Sequence, residues 1–447
     1  MSDKKSIIQP RTLKGFRDFL PSTMIPRERL METARQVYRS YGFAPMDTPA
    51  LELLEILTGK GSDETDRQMY RFVDNGGRDV GMRFDLTVPL ARFAAQHINE
   101  LGTPFKRYQI GTVWRGENSQ AGRYREFVQC DFDTIGTTSL ASDVEAVLVI
   151  NDLLQALGFQ KFTIRINNRK ILNGVLAKFE LQDKSAEVLR AIDKLDKAGR
   201  EKVVAELQSC GATESQIDNI LSLVSVNGDN NEVLQELQSL TAGNSQAEQG
   251  WQELNELTKL VQKAGVPEQN YRIDPSIARG LDYYTGVVFE TNLDDDPDIG
   301  SVCSGGRYDN LAELYTKREL PGIGASLGLD RLLAAMERLK MLPDASTPAD
   351  IMIVNFDAEY LGDYLALANQ LRAEGFGVEV FCDKKKPGQQ FKYADKKGFQ
   401  ACLIAGQQEM QDKTVQLKWL ADGLQSEVSI ADGVSQLVAA LRQRIEP

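Results

Sequence analysis

Residues 105–136 read FKRYQIGTVWRGENSQAGRYREFVQCDFDTIG, and the fold turns on how they pair. Two strand-like runs, "FKRYQIGTVWRG" and "YREFVQCDFDTIG", flank "ENSQAGR", a polar loop with one glycine, which is the pattern of a β-hairpin. In the second run Arg125, Phe127, Gln129, Asp131 and Asp133 alternate with Glu126, Val128, Cys130 and Phe132. Successive side chains of a strand point to opposite faces. One face is therefore mostly apolar and can sit on a core, while the other carries polar groups and one aromatic ring. The same rule puts Arg107, Gln109 and Arg115 of the first run on one face. An antiparallel hairpin can then hold Arg115, Gln129 and Asp133 over a common surface. Taken alone, an ordinary hairpin with a solvated polar face has the same pattern.

Outward from the hairpin, "PRERLMETARQVYRSYGF" places Leu30, Ala34, Val37 and Tyr41 at helical spacing, with Gly42 as the stop. "VGMRFDLTVPLARFAAQ" reads as a strand, a turn at Pro89 and a helix. Residues 171–270 change character: "LDKAGREKVVAELQSCG", "SQIDNILSLVSV" and "WQELNELTKLVQKAG" are helical with mixed charge, the mark of an inserted helical module. The β pattern returns at "GVVFETNL". "DDDPD" at 294–298 reads as a solvated loop. "SGGRYDNL" carries the adjacent Gly305 and Gly306, and "GIGASLGLDRLLAAMERL" reads as a glycine-rich turn or strand feeding a helix. "LPDASTPAD" (342–350) is a linker, after which strands and helices alternate over a compact α/β domain. Between Asp383 and Gly398 this domain holds six lysines against two aspartates. Such a segment is either a soluble helix face or a contact for a phosphate backbone.

The chain has 447 residues, too many for one core, so two or three domains are expected. With 42% hydrophobic and 26% charged residues it has a globular composition. No apolar run reaches the roughly 18 residues of a membrane span, and the N-terminus lacks the apolar core of a signal peptide. A cytoplasmic location is expected. The five cysteines are scattered without a CxxC pair, against a disulfide framework or a zinc cluster. A single histidine, His97, excludes a multi-histidine metal site and reads as a helix-surface residue. Chemistry must then rest on arginines, carboxylates, backbone amides and a bound ion. The net charge of −12 argues against generic nucleic-acid binding, though local basic patches can still grip phosphates.

No P-loop and no GxGxxG in a strand-to-helix unit is present, so nucleoside triphosphate binding would rest on Arg115, Arg123, Arg279 and Arg331. The guanidinium is a planar, permanently charged fork matched to phosphate oxygens. "RGLDYYTG" (279–286) adds two adjacent tyrosines, one able to pack while the other offers a hydroxyl. With Asp133, a phenol and a carboxylate suit a ligand that has both a ring donor and a ring acceptor, such as neutral imidazole.

Together "TVWRGENSQAGRYREFVQCDFD", "RGLDYYTG", "SGGRYDNL" and "GIGASLGLDRLL" resemble the histidyl-tRNA synthetase family of class II. The first is similar to class motif 2 and the last to motif 3, while the middle two resemble the signatures particular to the histidine enzymes. "LKGFRDFLP" and the helix after it resemble the dimer-forming motif 1 region. The resemblance covers essentially the whole chain and is weakest in the inserted helices. It implies an α+β fold: a six- or seven-stranded antiparallel sheet flanked by helices. It assigns a catalytic domain to 1–170 and 271–341, a helical insertion to 171–270, and an α/β anticodon-binding domain to 350–447. It also implies a homodimer that takes ATP with Mg²⁺, L-histidine and tRNA(His).

Residue by residue, the resemblance implies that Arg115 binds the α-phosphate and the histidine carboxylate region. Glu117 and Arg123 would hold ATP, Phe127 would stack on adenine, and Arg331 would clamp the γ-phosphate. Asp85, Thr87 and Gln129 would hold the substrate amino group. Asp133 and Tyr284 would read the imidazole, with Tyr283 lining the pocket. Gly305 and Gly306 would let backbone approach the substrate. Arg279 would stabilise charge at the α-phosphate, and no dedicated metal cage is expected. Some branches of the family have Glu at the positions of Asp85 and Asp133. Two other functions compete: a non-catalytic paralogue serving as regulatory subunit of the enzyme that begins histidine biosynthesis, and a class II synthetase for Pro or Thr.

Overall fold

The structure, a computed structural model, describes residues 8–445 apart from 59–62, 119–121, 194, 196–198, 278–282 and 343–345. The chain divides into two compact units, Met1–Arg17 with Leu30–Met341, and Asp18–Arg29 with Leu342–Pro447.

The strands of the first unit are β1 (Ala44–Pro45), β2 (Leu51–Leu53), β3 (Arg71–Val73), β4 (Asp79–Met82), β5 (Phe105–Trp114), β6 (Glu126–Ile135), β7 (Phe162–Asn168), β8 (Tyr271–Ile273), β9 (Val287–Leu293), β10 (Cys303–Tyr308) and β11 (Gly322–Gly328). Among the described residues β2, β4 and β3 make a small antiparallel sheet, and the other eight make one sheet in the order β1-β5-β6-β11-β10-β9-β7-β8. Its six central strands pair antiparallel. The edge strands β1 and β8 add in parallel, so the sheet is wider than the six or seven strands expected. Strands of two and three residues are too short to leave a period-2 signature.

The hairpin β5–β6 pairs in the register Phe105↔Ile135 to Trp114↔Glu126. Its apolar face is buried through Val128, Cys130 and Phe132. There Phe132 meets the rings of Tyr38 at 5.3 Å and Phe43 at 5.5 Å, and Tyr38 donates a 2.9 Å hydrogen bond to the Cys130 carbonyl. The helix Pro21–Ser40 reaches this layer through Leu30, Ala34 and Tyr38, spaced i, i+4, i+8. Tyr38, not Val37 or Tyr41, completes the stripe, because a four-residue step keeps to one helix face.

The helix Thr87–Leu101 buries Leu90, Ala91, Ala94 and Ile98 against Ile135, Tyr308 and Leu311. Pro89 lies inside its first turn rather than in a turn before it. A proline there forfeits an N–H that has no intrahelical acceptor.

Between β7 and β8 the described chain is helical, ending in the long helix Ser245–Lys263. Lys170 Nζ pairs with Glu253 at 2.6 Å, and Asn230 Oδ1 accepts from Ile273 N at 2.8 Å, which ties these helices to β8. The DDDPD segment is less solvated than expected. Asp296 is buried and pairs with Arg338 at 2.9 Å.

In the second unit β12 (Ile351–Ile353), β13 (Val378–Val380), β14 (Ala401–Ile404), β15 (Thr414–Trp419) and β16 (Gln425–Ser429) form a sheet in the order β13-β12-β14-β15-β16. The first three strands are parallel and the last two antiparallel. Helices Leu361–Ala373 and Ser435–Leu441 cover a core of Ile351, Ile353, Leu371, Leu403, Leu417 and Leu437. The lysine-rich stretch forms the helix Pro387–Lys397, started by proline and stopped by Gly398 in the left-handed region. No helix among the described residues is long and apolar enough to cross a membrane.

Candidate active site

The register of the large sheet decides which side chains share a face. Asp131 stands opposite Gln109 and Ser326, Ser326 opposite Ser304, Ser304 opposite Glu290, and Glu290 opposite Arg165. A second row runs Arg107, Asp133, Gly324, Gly306, Val288. Residues directly opposite in a ladder lie on the same face, so both rows pave one floor. The polar side of the hairpin is thus buried rather than solvated.

A cavity of about 240 Å³ stands on this floor, lined by Asp85, Thr87, Gln129, Asp131, Asp133, Tyr283, Tyr284, Glu290, Gly305, Tyr308 and Ser326 among others. A second lobe of about 130 Å³ is lined by Glu117, Tyr124, Phe127 and Asp330. Arg115, Arg123, Gln129 and Arg331 line both lobes, so the two are continuous. The structure therefore brings Arg115, Glu117, Arg123, Phe127, Asp85, Thr87, Gln129, Asp133, Tyr283, Tyr284, Gly305 and Arg331 to one site. Gly306 lies in the floor beneath Tyr284, where a Cβ would come within 3.0 Å of that ring. Arg279 lies outside the described residues. His97 packs its ring on Phe93 at 4.8 Å and lines neither lobe.

The inner lobe is built around Asp133. Tyr308 donates to its Oδ1 at 2.5 Å, and Arg107 Nη2, fully buried, sits 2.7 Å from Oδ2. A Cβ on Gly324 would overlap both Asp133 Oδ1 and the Phe132 carbonyl, so only glycine leaves the carboxylate room. Tyr283 stands edge-on to Tyr284 at 5.1 Å and to Tyr308 at 5.8 Å. Asp85 accepts from Val88 N at 3.0 Å and so caps the helix Thr87–Leu101.

Burial raises the carboxyl pKa of Asp85, Asp131 and Asp133, against the pull of Arg107 and, at Asp85, of Arg115. Asp131 is pushed up to about 7, the Asp133 charge adding to the effect of burial. The phenols of Tyr283, Tyr284 and Tyr308 are pushed up by burial and then by neighbouring carboxylates, so they remain hydrogen-bond donors at neutral pH.

The outer lobe is cationic. The Arg115 guanidinium lies 4.3 Å from the Phe84 ring centroid and 5.2 Å from that of Phe127, and its Nε donates to the Phe84 carbonyl at 3.1 Å. Arg123 and Glu117 are 3.7 Å apart. Arg331 Nη1 donates to the Ser301 carbonyl at 2.7 Å. Arg17, from "LKGFRDFLP", braces the lobe. It donates to Tyr124 Oη and to Asp330, each at 2.9 Å, and Asp330 in turn accepts from Val128 N at 2.9 Å.

Asp131, Arg107, Tyr308, Glu290, Ser304 and Ser326 are site residues that the sequence reading did not assign. Asp131 had a signal, since it lies midway between Gln129 and Asp133 on the same alternating face. Tyr308 had none, since its link to Asp133 spans 175 residues.

Residues 15–332 match the family model for histidyl-tRNA synthetase, and residues 350–440 match that for an anticodon binding domain. The chain is 62% identical over 416 residues to a histidine–tRNA ligase of Rhodopirellula baltica, covering 93% of this chain and 94% of that protein. It resembles the crystal structure of a histidyl-tRNA synthetase from a Nostoc species with a TM-score of 0.89 at 36% identity, over 98% of this chain and all of that one. A Bacillus halodurans protein described as an ATP phosphoribosyltransferase regulatory subunit/histidyl-tRNA synthetase shares the fold, with a TM-score of 0.74 at 20% identity, over 90% of this chain and 99% of that one. With one family model matched over residues 15–332 and a relative 62% identical over 93% of this chain, the protein belongs to the histidyl-tRNA synthetase family.

Proposed function

We propose that this protein activates L-histidine with ATP and transfers it to the 3′ end of tRNA(His). One observation carries the reading: a buried lobe of carboxylates and phenols, suited to a neutral imidazole, opens directly into an arginine-lined lobe suited to a triphosphate. In the first step a histidine carboxylate oxygen attacks the α-phosphorus. The bond from that phosphorus to the bridging oxygen breaks, and pyrophosphate leaves with the electron pair. Arg115 and Arg279 neutralise the crowded phosphate oxygens, Arg331 holds the γ-phosphate, Glu117 and Arg123 position the nucleotide, and Phe127 stacks on adenine. This is electrostatic catalysis by fixed cations and needs no protein base. Mg²⁺ bound with the nucleotide would add to the charge neutralisation that these arginines supply. In the second step a terminal ribose hydroxyl of the tRNA displaces AMP from the histidyl carbonyl.

Tyr284 and Asp133 read the imidazole, with Tyr283 lining its pocket. Asp85, Thr87 and Gln129 surround the amino end, and the flat Gly305–Gly306 backbone gives the substrate room. A site whose own polar groups are left unpaired by the wrong ligand can discriminate by about 10⁴ to 10⁵. Residues 1–170 with 271–341 act as the catalytic domain, 171–270 as an insertion, and 350–447 as the anticodon reader. The working form is a cytoplasmic homodimer. The exposed Leu51, Leu53, Phe72 and Val73 of β2 and β3 support an interface on that small sheet.

Amino-acid-dependent ATP–pyrophosphate exchange, run with each standard amino acid, tests the reading. Exchange with histidine alone is expected. No exchange from folded protein would overturn it in favour of a regulatory, non-catalytic role, and exchange with proline or threonine would reassign the pocket.

A further inference from the structure

Tyr283 and Tyr284 line the cavity but belong to no strand, since β9 begins only at Val287. A side chain outside regular structure is placed less firmly than one on a strand. The position of the two phenols therefore depends on what holds Thr285 and Gly286. Thr285 N donates to the Arg307 carbonyl at 2.8 Å, just past the end of the β9–β10 ladder. The Thr285 hydroxyl donates to Asp309 Oδ2 at 2.8 Å and accepts from Asp309 N at 3.1 Å. The other oxygen of that carboxylate, Oδ1, lies 3.4 Å from Arg307 Nη1. Asp309 thus joins this stretch to the Arg307 guanidinium.

Arg307 is itself anchored on the far side of the sheet. Its neighbour Tyr308 points to the cavity and holds Asp133, so alternation along β10 sends Arg307 the opposite way. There it is buried. Its Nε donates to Asp143 Oδ1 at 2.9 Å and its Nη2 to Asp143 Oδ2. Nη1 also donates to the Thr137 carbonyl at 3.0 Å, and Nη2 to Ser142 Oγ at 3.1 Å. Ser142 and Asp143 lie in the first turn of the helix Leu140–Ala156. A helix anchor does not account for this arrangement. The helix dipole disfavours a cation beside an N-terminus, and an apolar pair would serve packing as well. What the guanidinium adds is a rigid fork, with two nitrogens on Asp143 and the third turned toward Asp309. Gly286 lies against it, where a Cβ would come within 3.1 Å of Arg307 Cδ.

We propose that Arg307, acting through Asp309 and Thr285, is a positioning residue for the Tyr283–Tyr284 pair and fixes the Tyr284 phenol over Gly306. This rests on histidine being the substrate and on Tyr284 reading its imidazole. Neither Arg307 nor Asp309 lines the cavity, so both act at one remove. They flank Tyr308, which holds Asp133 from the cavity side. The short run 307–309 therefore places both groups that face the ring, Asp133 through Tyr308 and Tyr284 through Thr285. The distance between those two groups is then set by the backbone of a single segment.

A double-mutant cycle on equilibrium binding of L-histidine, with ATP binding as the control, tests this. The proteins are wild type, Thr285→Val, Tyr284→Phe and the double variant. Thr285→Val keeps the shape of the side chain and deletes the hydroxyl that engages Asp309. It should weaken histidine by about 10-fold, as for a lost hydrogen bond to a charged group, and leave ATP within about twofold. In the Tyr284→Phe background the same change should cost less than about twofold, because an absent phenol hydroxyl needs no positioning. Asp309→Asn keeps an acceptor for Thr285 but drops the charge that faces Arg307. It should cost histidine a smaller factor with the same dependence on Tyr284, and it decides the matter if Thr285→Val fails to fold. Equal losses for histidine and ATP, equal losses with and without the Tyr284 hydroxyl, or unchanged histidine binding would overturn the assignment while leaving the histidine reading intact. Wild-type protein that binds no histidine would overturn both.

Discussion

The two lobes of the cavity share a hairpin but manage charge in opposite ways. The inner lobe takes carboxylates out of water and pushes their pKa values up. The outer lobe sets guanidiniums against aromatic rings and carbonyls. Desolvated groups that demand partners give discrimination, because a wrong ligand leaves them unsatisfied. Fixed cations aimed at developing charge give rate. Substitutions in the inner lobe should therefore act on histidine binding, and those in the outer lobe on turnover.

The largest effect is expected where charge develops at the α-phosphate. Arg279→Ala should lower the rate of adenylate formation by about 10²- to 10³-fold, the usual loss for one charge-stabilising donor, with histidine affinity preserved. Single-turnover kinetics would show it, and a near-wild-type rate would remove Arg279 from the transition state.

Asp133→Ala comes next and should fall on the other side of the comparison. It should raise the histidine KM by roughly 100-fold with little change in the ATP KM. Removing one partner of a buried ion pair also costs about 3–5 kcal/mol, since Arg107 would be left uncompensated, so thermal unfolding should shift downward together with the KM. An unchanged histidine KM would deny Asp133 its part in recognition. Tyr308→Phe deletes only the hydroxyl that holds Asp133 Oδ1. It should cost about 1.5–3 kcal/mol, as for a hydrogen bond to a charged group, seen in histidine affinity rather than in kcat.

The smallest effect is in the ligand-free protein's stability against pH. The Asp131 carboxyl, pushed up to about 7 by burial and by Asp133, keeps a proton that the unfolded chain releases near pH 4. The folded state then binds more protons between about pH 4 and 7, so stability from this group is present below that window and is lost as pH rises through it. Asp85 and Asp133 are shifted in the same direction, Arg107 opposes all three, and no histidine imidazole lines the lobe. Calorimetry should show Tm falling across the window in wild type and a flatter profile for Asp131→Asn. A profile unchanged by the substitution would mean that Asp131 is already ionised in the folded protein.

Local order was legible wherever one element carried its own period. The hairpin showed its alternation, the helices their apolar stripes, and the C-terminal unit its alternating strands and helices. The misses share a cause. β1 and β8 are too short to show a period. β16 reads QSEVS and is largely exposed, so no apolar alternation marks it. Pro89 looked like a turn because proline usually interrupts helices, but the first helical turn tolerates it. Asp296 looked solvated in a run of acids until Arg338, 42 residues on, covered it.

The amino-acid sequence by itself determined the hairpin with its two unlike faces, the arginines available for a triphosphate, the helical middle, the α/β end and the family resemblance. Each of these is written in residues close along the chain or in a short motif. Only the tertiary structure decided that the polar face is buried, that Gly324 and Gly306 make the floor flat, that Tyr308 and Arg107 hold Asp133, and that Asp309 joins Arg307 to Thr285. Those facts depend on strand register across long separations and on exclusion of water, and register and desolvation are properties of the assembled sheet rather than of any segment.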